Sequence, residues 1–322
     1  AQTLPGVLMS TALITGISGF IGSSIARALL SEGATVRGID NLSTGNIANL
    51  EDIRKQLDFR QADILDTNAI ASACQGVDFV FHEAAIPSVF QSVDDPIGTN
   101  GPNLNGTLNV LDAARKAGVK RVLYAASSAA YGDDPNLPKT ETMLPAPISP
   151  YAVQKVAGEH YLASYARVFG LETVALRYFN VFGPRQDPSS QYSGVLARFI
   201  SMMLTGQTPT VFGDGTTSRD FVYIDNVVSA NLLAARAPAA NVSGKVFNVA
   251  TGRRTTLIEA YEEIKRITGY TGSINFAPER EGDIKHSLAD ISLAQQSFDY
   301  KVVADLAYGL EQTIAWSRQP VS

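Results

Sequence analysis

Two side chains that could carry out acid–base chemistry, Tyr151 and Lys155, stand four residues apart in the middle of the chain. The residues that follow, 156–166, have helical spacing, so both side chains are expected on one helix face, about one turn apart. A tyrosine alone is a weak base at neutral pH because its ordinary pKa is about 10. A neighbouring ammonium group lowers that pKa, so the pair could move a hydroxyl proton near pH 7. An amphipathic helix with one buried tyrosine and one solvated lysine would have the same spacing. Other parts of the sequence must therefore show whether the pair is catalytic or structural.

A glycine-rich turn lies near the N-terminus, between a predicted buried strand over 10–15 and a helical pattern over 25–30. Strand, glycine turn and helix in this order are typical of dinucleotide-binding proteins. The glycines let the backbone approach a pyrophosphate, and the free amides at the helix start attract its negative charge. A tight turn that binds no ligand is the alternative. The predicted cofactor contacts in this turn are Gly16, Gly19, Phe20, Ile21 and Gly22.

An acidic residue, Asp40, ends the second predicted strand, over 34–39. It lies about 20 residues beyond the glycines, where an acid can accept hydrogen bonds from the adenosine ribose and repel a 2′-phosphate. NAD is therefore favoured over NADP. A third strand over 57–62 ends at residues that could flank the adenine, although Asp63 could instead cap the next helix. The predicted contacts in this part are Asp40, Asn41, Ser43, Thr44, Gly45, Asp63 and Ile64.

Strands continue to alternate with helices up to about residue 180. Further strands are predicted over 77–81, 119–126 and 171–178, with a long helix from about 95 to 117. This alternation predicts an α/β fold with a doubly wound parallel Rossmann sheet. Ligands bind at the carboxyl ends of such strands, where this chain has small and polar residues. His82, at one of these ends, is expected to be packed and hydrogen-bonded rather than catalytic.

The composition of the chain changes after residue 180. Glycine, proline and polar residues become frequent, and the strand–helix alternation weakens. We predict an NAD-binding Rossmann domain over 1–180 and a smaller C-terminal substrate lobe over 181–322. Strand-like and helical segments near 221–250 are expected to return to the main sheet, so the two parts would interleave.

The overall composition is ordinary for a globular enzyme. The chain has 322 residues, 45% of them hydrophobic and 18% charged, with a formal net charge of −5. No basic run suggests binding to nucleic acid or to a membrane surface. One cysteine, Cys74, excludes an internal disulfide and a cysteine-based metal site, and the three histidines lack metal-binding spacing, so no metal is expected. Neither a signal peptide nor an apolar run of about 18 residues is apparent, so a cytoplasmic location is expected.

Eight short motifs together resemble one family. They are Gly16/Gly19/Gly22, Asp40-Asn41, His82–Ala85, Ser127, Tyr151/Lys155, Arg177–Asn180, Ser218–Asp225 and Arg280–Asp283. Each is weak evidence alone, but they occur in the order found in the extended short-chain dehydrogenase/reductases. Within that family the sequence is similar to the UDP-hexose 4-epimerases, and most of all to those acting on UDP-N-acetylglucosamine. The resemblance covers residues 11–316.

The resemblance implies an isomerase that inverts C4 of a UDP-hexose through a transient 4-keto sugar, with NAD staying bound. Tyr151 would take the proton of the sugar 4-hydroxyl. Lys155 would hold the nicotinamide ribose and lower the pKa of Tyr151, and Ser127 would hydrogen-bond the same hydroxyl. Further cofactor contacts implied by the resemblance are Ala84, Ala85, Asn103, Ala125 and Phe179.

The resemblance also implies a set of substrate contacts. Asn180, Arg219 and Arg280 would bind the diphosphate, since two arginines can neutralise a buried pyrophosphate. Each arginine could instead form a surface salt bridge, and a third phosphate contact from Arg185 is left open. The remaining implied contacts are Val195, Val211 and Phe212 at the uracil, Asp283 at the uridine ribose, and Ser88, Ser128 and Ser287 elsewhere in the substrate site.

The family contains other reactions that need an extra acid. Its 4,6-dehydratases carry an Asp-Glu pair, and its UDP-glucuronate decarboxylases a Glu, where this chain has Ser128, Ala129 and Ala130. Epimerisation is therefore the simplest chemistry. The small Ser287 replaces the bulky tyrosine of epimerases restricted to plain hexoses, which favours UDP-GlcNAc/UDP-GalNAc. The segment 87–91 departs from the N-acetyl subgroup, so UDP-Glc/UDP-Gal and a UDP-glucuronate 4-epimerase stay open.

Two other classes of protein are weighed against an epimerase. A non-catalytic protein that senses NAD or nucleotides would be expected to lose the tyrosine or the lysine, and this chain has kept both. A net oxidoreductase would release reduced cofactor steadily in the presence of a UDP-sugar.

The resemblance also implies that the partner is a second copy of the chain, in a homodimer. The helices near 95–117 and 150–169 of the two copies would form a four-helix bundle.

Overall fold

A computed structural model describes residues 11–188, 194–279 and 284–319. The strands are β1 (Thr11–Thr15), β2 (Thr35–Asp40), β3 (Leu57–Gln61), β4 (Phe79–His82), β5 (Arg121–Ser127), β6 (Glu172–Tyr178), β7 (Asn180–Phe182), β8 (Thr210–Phe212), β9 (Ser218–Arg219), β10 (Phe221–Tyr223), β11 (Lys245–Val249), β12 (Thr255–Thr256) and β13 (Asn275–Ala277). The helices are α1 (Phe20–Ser31), α2 (Thr67–Cys74), α3 (Val89–Asp94), α4 (Pro96–Asn100), α5 (Thr107–Ala117), α6 (Pro150–Phe169), α7 (Val195–Leu204), α8 (Ile224–Arg236), α9 (Ala239–Val242), α10 (Leu257–Thr268), α11 (Ser292–Phe298) and α12 (Leu306–Ser317). Within these ranges no helix is both long enough and apolar enough to cross a membrane.

One large sheet organises the described part of the chain. Its seven strands are all parallel and follow the order β11-β6-β5-β4-β1-β2-β3. The chain starts at β1 near the middle, moves outwards through β2 and β3, and then returns to β4 on the other side of β1. The order therefore reverses between β1 and β4, the place where ligands bind in open α/β sheets. The doubly wound parallel α/β fold predicted from the sequence is confirmed.

The sheet is buried on both faces because helices cover each side. One core lies between the sheet and helices α1 and α8 and continues into the C-terminal lobe. The other lies between the sheet and helices α2, α5 and α6, and it includes the free thiol of Cys74. Strand β4 has all four residues buried, as expected for a central strand of a doubly covered sheet.

The predicted long helix over 95–117 is present but interrupted. Helix α4 runs into a π-helical turn, Gly101–Gly106, before α5 begins at Thr107. Pro102 lies in that turn and has no N–H to donate to the preceding turn, so the regular hydrogen-bond ladder cannot pass through it. The chain therefore remains helical from α4 to α5 but passes through one π-helical turn.

The C-terminal lobe consists of helices α7, α10 and α12 with short strand pairs. Strands β8 and β13 pair in parallel, and β9 and β12 pair antiparallel. In contrast, β11 pairs with β6 at the edge of the main sheet, and α8 packs on that sheet. Segments within 221–250 thus lie on the main sheet, while the division into two domains at residue 180 stays a prediction.

Candidate active site

A cavity of about 1530 Å³ opens at the carboxyl edge of the sheet, between the sheet and the C-terminal lobe. Its walls include the glycine turn after β1, the ends of β4 and β5, the first turn of α6 and one side of α7. These are the elements that meet where the strand order reverses, so the fold alone brings them together.

The start of α6 is fixed by two serine side chains. Ser149 caps the helix by accepting a hydrogen bond from the Ala152 amide at 3.2 Å. Ser92, fully buried on α3, accepts one from the Tyr151 amide at 3.0 Å. Pro150 at the first helical position has no amide to satisfy. Two backbone donors of the first turn are thus bound to side chains, which holds Tyr151 in place.

Tyr151 lies at the wall of the cavity beside Ser127. Burial raises the pKa of the Tyr151 phenol, and a hydrogen bond from the Ser127 hydroxyl lowers it in part. The sequence predicts that Lys155 lowers this pKa. Among the protein groups, burial dominates instead, because removing the phenolate from water costs more than one hydrogen bond returns.

Lys155 lies one helical turn beyond Tyr151 and is buried. Its Nζ donates a hydrogen bond of 2.8 Å to the carbonyl oxygen of Ala125 and lies 5.9 Å from the centre of the Tyr151 ring. Burial lowers the pKa of Lys155 to about 8, while the charges of Glu83 and Glu159 raise it. The lysine is therefore close to losing its proton in the physiological range.

A buried ion pair lies behind the lysine. Glu159 on α6 accepts two hydrogen bonds from Arg177 on β6, at 2.8 and 2.7 Å, and both side chains are buried. The guanidinium group of Arg177 also lies 4.6 Å from the centre of the Tyr131 ring. This bidentate pair joins α6 to the sheet and fixes the face that carries Tyr151 and Lys155.

The glycine turn has the features required to receive a dinucleotide. Helix α1 begins after Gly19, and no side chain caps it, so its first amides have no side-chain acceptor and lie at the cavity wall. A Cβ at Gly22 would lie 2.3 Å from the oxygen of Gly16, and one at Gly16 would lie 2.7 Å from the nitrogen of Ala84. Free amides at a helix start fit a pyrophosphate. All five residues predicted in this turn line the cavity.

The end of the cavity beyond β2 carries the predicted adenosine contacts. The carboxylate of Asp40 accepts hydrogen bonds of 2.8 Å from the amides of Ser18 and Leu42. Asn41 donates to Asp63 at 2.8 Å, and Asp63 also accepts from the Leu65 amide. These bonds order the loop and leave carboxylate lone pairs available. All seven residues predicted at this end line the cavity: Asp40, Asn41, Ser43, Thr44, Gly45, Asp63 and Ile64.

The remaining cofactor candidates divide into two groups. Ala84, Ala85, Ala125 and Phe179 line the cavity. Asn103 does not line it. Its amide group bonds to both backbone groups of Ile86 and to the side chain of Gln154, so it holds the segment after β4 from behind.

Only some of the predicted substrate-binding residues line the cavity. Ser88, Asn180 and Val195 line the cavity, and Ser88 also caps α3. The candidates outside its lining are Ser128, Val211, Phe212, Arg219 and Ser287. Two others, Arg280 and Asp283, lie outside the described residues. The structure thus assembles the cofactor side of the site more completely than the substrate side.

His82 has the packed position expected of it. It is fully buried between the hydroxyls of Thr15 at 2.7 Å and Thr107 at 2.9 Å. Burial and the nearby Lys155 charge lower its pKa to about 3, so the ring is neutral.

The sequence alone indicated no role for the neighbouring residue Glu83, which lines the cavity. A charged residue directly after a fully buried strand was the available signal. No cluster of three potential metal ligands occurs among the described residues.

A parallel Rossmann sheet, an uncapped glycine turn and a Tyr/Lys pair around one cavity define a dinucleotide-binding protein of the short-chain dehydrogenase/reductase class. Residues 12–250 match the model of the NAD dependent epimerase/dehydratase family. The chain is a member of this family, and its cofactor is NAD.

Three similar proteins extend this comparison. The UDP-glucose 4-epimerase of Mycolicibacterium smegmatis is 38% identical over 310 residues, covering 95% of this chain and 98% of the relative. The structure of the UDP-glucose 4-epimerase of Thermotoga maritima with UDP-glucose is 38% identical, with a TM-score of 0.90 and coverage of 96% and 98%. The UDP-N-acetylglucosamine 4-epimerase of Methanobrevibacter ruminantium, in complex with UDP-N-acetylmuramic acid, is 39% identical, with a TM-score of 0.91 and the same coverage.

Proposed function

We propose that this protein is an isomerase that inverts the configuration at C4 of a UDP-hexose, with NAD retained between turnovers. The observation that carries the proposal is the meeting of Ser127, Tyr151 and Lys155 at the wall of the cavity that the glycine turn also lines. The named activities of similar proteins support the same chemistry.

Three side chains have separate roles in the proposed reaction. The Tyr151 oxygen takes the proton of the sugar 4-hydroxyl and later returns it. Ser127, whose hydroxyl lowers the pKa of that phenol, hydrogen-bonds the same sugar hydroxyl and stabilises the phenolate. Lys155 supplies a positive charge one helical turn away. When bound, NAD supplies the group that accepts hydride from C4 and gives it back, so the sugar has no net change in oxidation state.

The turn after β5 favours epimerisation over elimination of water. The described 3₁₀ turn Ser128–Tyr131 follows Ser127 directly and contains no carboxylate. Loss of a hydroxyl from the sugar would need an additional acid to protonate the leaving oxygen. The absence of such a group from this turn favours return of the hydride to the 4-keto sugar over loss of water.

For the sugar, we propose UDP-GlcNAc/UDP-GalNAc, with UDP-Glc/UDP-Gal as further substrates. The support is the names of similar proteins, which include both kinds of epimerase, and the small residue Ser287 in the sequence, where epimerases restricted to plain hexoses carry a bulky tyrosine. From the resemblance in sequence, we propose Asn180, Arg219 and Arg280 at the diphosphate, residues 195 and 211–212 at the uracil, and Asp283 at the uridine ribose.

The test is a panel of sugars. Purified protein is incubated with UDP-GlcNAc, UDP-Glc or UDP-glucuronate, without added NAD, and the C4 epimers are followed by proton NMR. We expect inversion of UDP-GlcNAc and of UDP-Glc. Inversion of UDP-glucuronate alone would overturn the sugar assignment, and no inversion of any of the three would overturn the function.

We also propose a homodimer formed by the helical surface of α4, α5 and α6. Apolar side chains on or beside this surface are exposed, among them Val93 at 60%, Ile97 at 86% and Val153 at 51%. Exposed apolar groups of this size on neighbouring helices are typical of a surface that another protein covers. Pairing with a second copy would form the predicted four-helix bundle.

A further inference from the structure

Glu83 is a charged residue at a point where the fold expects a small or apolar one. It follows the fully buried strand β4 directly and lines the same cavity as Tyr151 and Lys155. The segment that carries it is pressed against the glycine turn, since a Cβ at Gly16 would lie 3.0 Å from the Glu83 carbonyl carbon. The backbone of Glu83 is therefore packed against the glycine turn, and its carboxyl group lies at the cavity.

The two oxygens of this carboxyl group have different surroundings. Oε1 accepts a hydrogen bond of 3.0 Å from the Tyr178 hydroxyl, which itself accepts one of 2.8 Å from Asn231. Oε2 is buried and has no hydrogen-bond partner among the described residues. A buried oxygen without a partner is costly, so Glu83 must be balanced through its charge or by a group that enters the cavity.

The charged groups around Lys155 indicate which group compensates the negative charge of Glu83. Glu83 directly follows His82, which pairs with Tyr124 across β4 and β5, and the next residue of β5, Ala125, accepts the hydrogen bond of Lys155. Glu83 and Lys155 therefore lie at the same strand ends, and Glu159 lies one turn beyond Lys155 on α6. Glu159 gives both oxygens to Arg177, so its charge is already matched. The other titratable groups near the lysine, Tyr124, Tyr151 and His82, are neutral rings. Glu83 is therefore the described carboxylate whose charge is left to match the lysine.

We propose that Glu83 is a positioning residue of the active site, whose carboxylate matches the charge of Lys155 and so keeps that lysine in its ammonium form. The Tyr178 hydroxyl, which accepts a hydrogen bond from Asn231, orients that carboxylate. The inference rests on the proposed roles of Tyr151 and Lys155, and it adds a residue that acts through the lysine.

The titration behaviour of the two groups agrees with this arrangement. Burial raises the pKa of Glu83 to about 7, and both the Tyr178 hydroxyl and the Lys155 charge lower it. Conversely, the Glu83 charge raises the pKa of Lys155, which burial has lowered to about 8. Each charge thus stabilises the other, so the ionised carboxylate and the protonated amine favour the same state.

The first test observes Glu83 directly and needs no turnover. Holoenzyme labelled with ¹³C at the glutamate carboxyl carbons is titrated by NMR, and the Glu83 signal is assigned from its loss in Glu83→Gln. We expect a midpoint near 7, and a higher one in Tyr178→Phe, where the hydroxyl that stabilises the carboxylate is gone. A midpoint at the ordinary glutamate value, or no change in Tyr178→Phe, would overturn the inference even if the enzyme proves to be an epimerase.

The second test follows the pH profile of kcat/KM for the UDP-sugar that is turned over. Glutamine keeps an acceptor for Tyr178 but has no charge, so in Glu83→Gln the alkaline limb should move to lower pH by on the order of one unit. Glu262→Gln removes a charge from the exposed side of α10 and should leave the profile unchanged. An equal drop at every pH, with no shift, would mean that Glu83 is only structural and would contradict the proposal. A wild type that inverts no sugar would fail the proposed function and leave the NMR result to decide this inference.

Discussion

At the scale of single residues, Tyr151 presents a conflict between burial and charge. The phenol must lose its proton to act as a base, yet burial raises its pKa. The Ser127 hydroxyl offsets part of this, and the Lys155 ammonium is held one turn away by the Ala125 carbonyl. Because NAD carries a positive nicotinamide ring, its binding in the same cavity would favour the phenolate further. The tyrosine is thus expected to become a base only when the whole site is assembled.

Replacing Tyr151 by phenylalanine removes the proton acceptor and keeps the ring. We expect Tyr151→Phe to lower kcat by about 10²- to 10⁴-fold, the usual contribution of a general base. The bound NAD, measured as nucleotide released on denaturation, should be unchanged, because the glycine turn is intact. Tyr161→Phe, in the outer part of the same helix, is the matched control and should keep full activity. Activity above one tenth of wild type in Tyr151→Phe would remove the tyrosine from its proposed role.

At the scale of elements, the glycine turn supports both the fold and the cavity. Gly16 has a φ of +69° and lies against the backbone after β4, so both its conformation and its lack of a side chain are required. Gly33, just beyond the end of α1, has a similar φ of +83° but nothing within 4 Å of its missing Cβ. The two glycines therefore separate the effect of backbone strain from the effect of close packing.

Alanine substitutions at these positions should differ accordingly. Gly33→Ala should lower the free energy of unfolding by roughly 1–2 kcal/mol, the cost of a left-handed conformation for a residue with a Cβ. Gly16→Ala should cost about 1–3 kcal/mol more, because its Cβ meets the Ala84 backbone. It should also reduce the bound NAD, whereas Gly33→Ala should not. Equal effects of the two variants in urea denaturation and nucleotide content would contradict this account of the turn.

The elements differ in how far the sequence predicts them. The central strands and the glycine turn are predictable because each is a local pattern, a buried run of residues followed by glycines. Asn103 and Glu83 are not, since their roles depend on Gln154 and on Tyr178, which come from distant parts of the chain. The interruption near 101–106 was readable in principle from Pro102, which cannot continue the helical ladder.

At the scale of the whole molecule, the site lies between a regular sheet and a less regular lobe. Strands β8, β9, β12 and β13 have only two or three residues each, and they pair with partners far along the chain. Such short strands leave no periodicity to recognise. The sequence therefore predicts the cofactor side of the site in more detail than the substrate side, where Val211, Phe212 and Arg219 lie on such strands and outside the cavity lining.

The proposed dimer can be tested with one charge on its helical surface. Ile97→Asp places a carboxylate at an exposed apolar position of α4, and burial of that charge in an interface should be unfavourable. Sedimentation velocity at micromolar concentration should show a dimer for the wild type and a monomer for this variant. Leu144→Asp, at an equally exposed apolar position outside these helices, should stay dimeric. A monomeric wild type would contradict the proposed assembly.

The central claim is that hydrogen leaves C4 as hydride, stays in the site, and returns to the same carbon. The most direct measurement uses a UDP-sugar with deuterium at C4, in ordinary water without added NAD, and follows the product by NMR and mass spectrometry. We predict an inverted product that keeps its deuterium at C4. An inverted product whose deuterium has exchanged with water would show removal of a proton instead, and it would contradict the mechanism proposed for Tyr151, Lys155 and NAD.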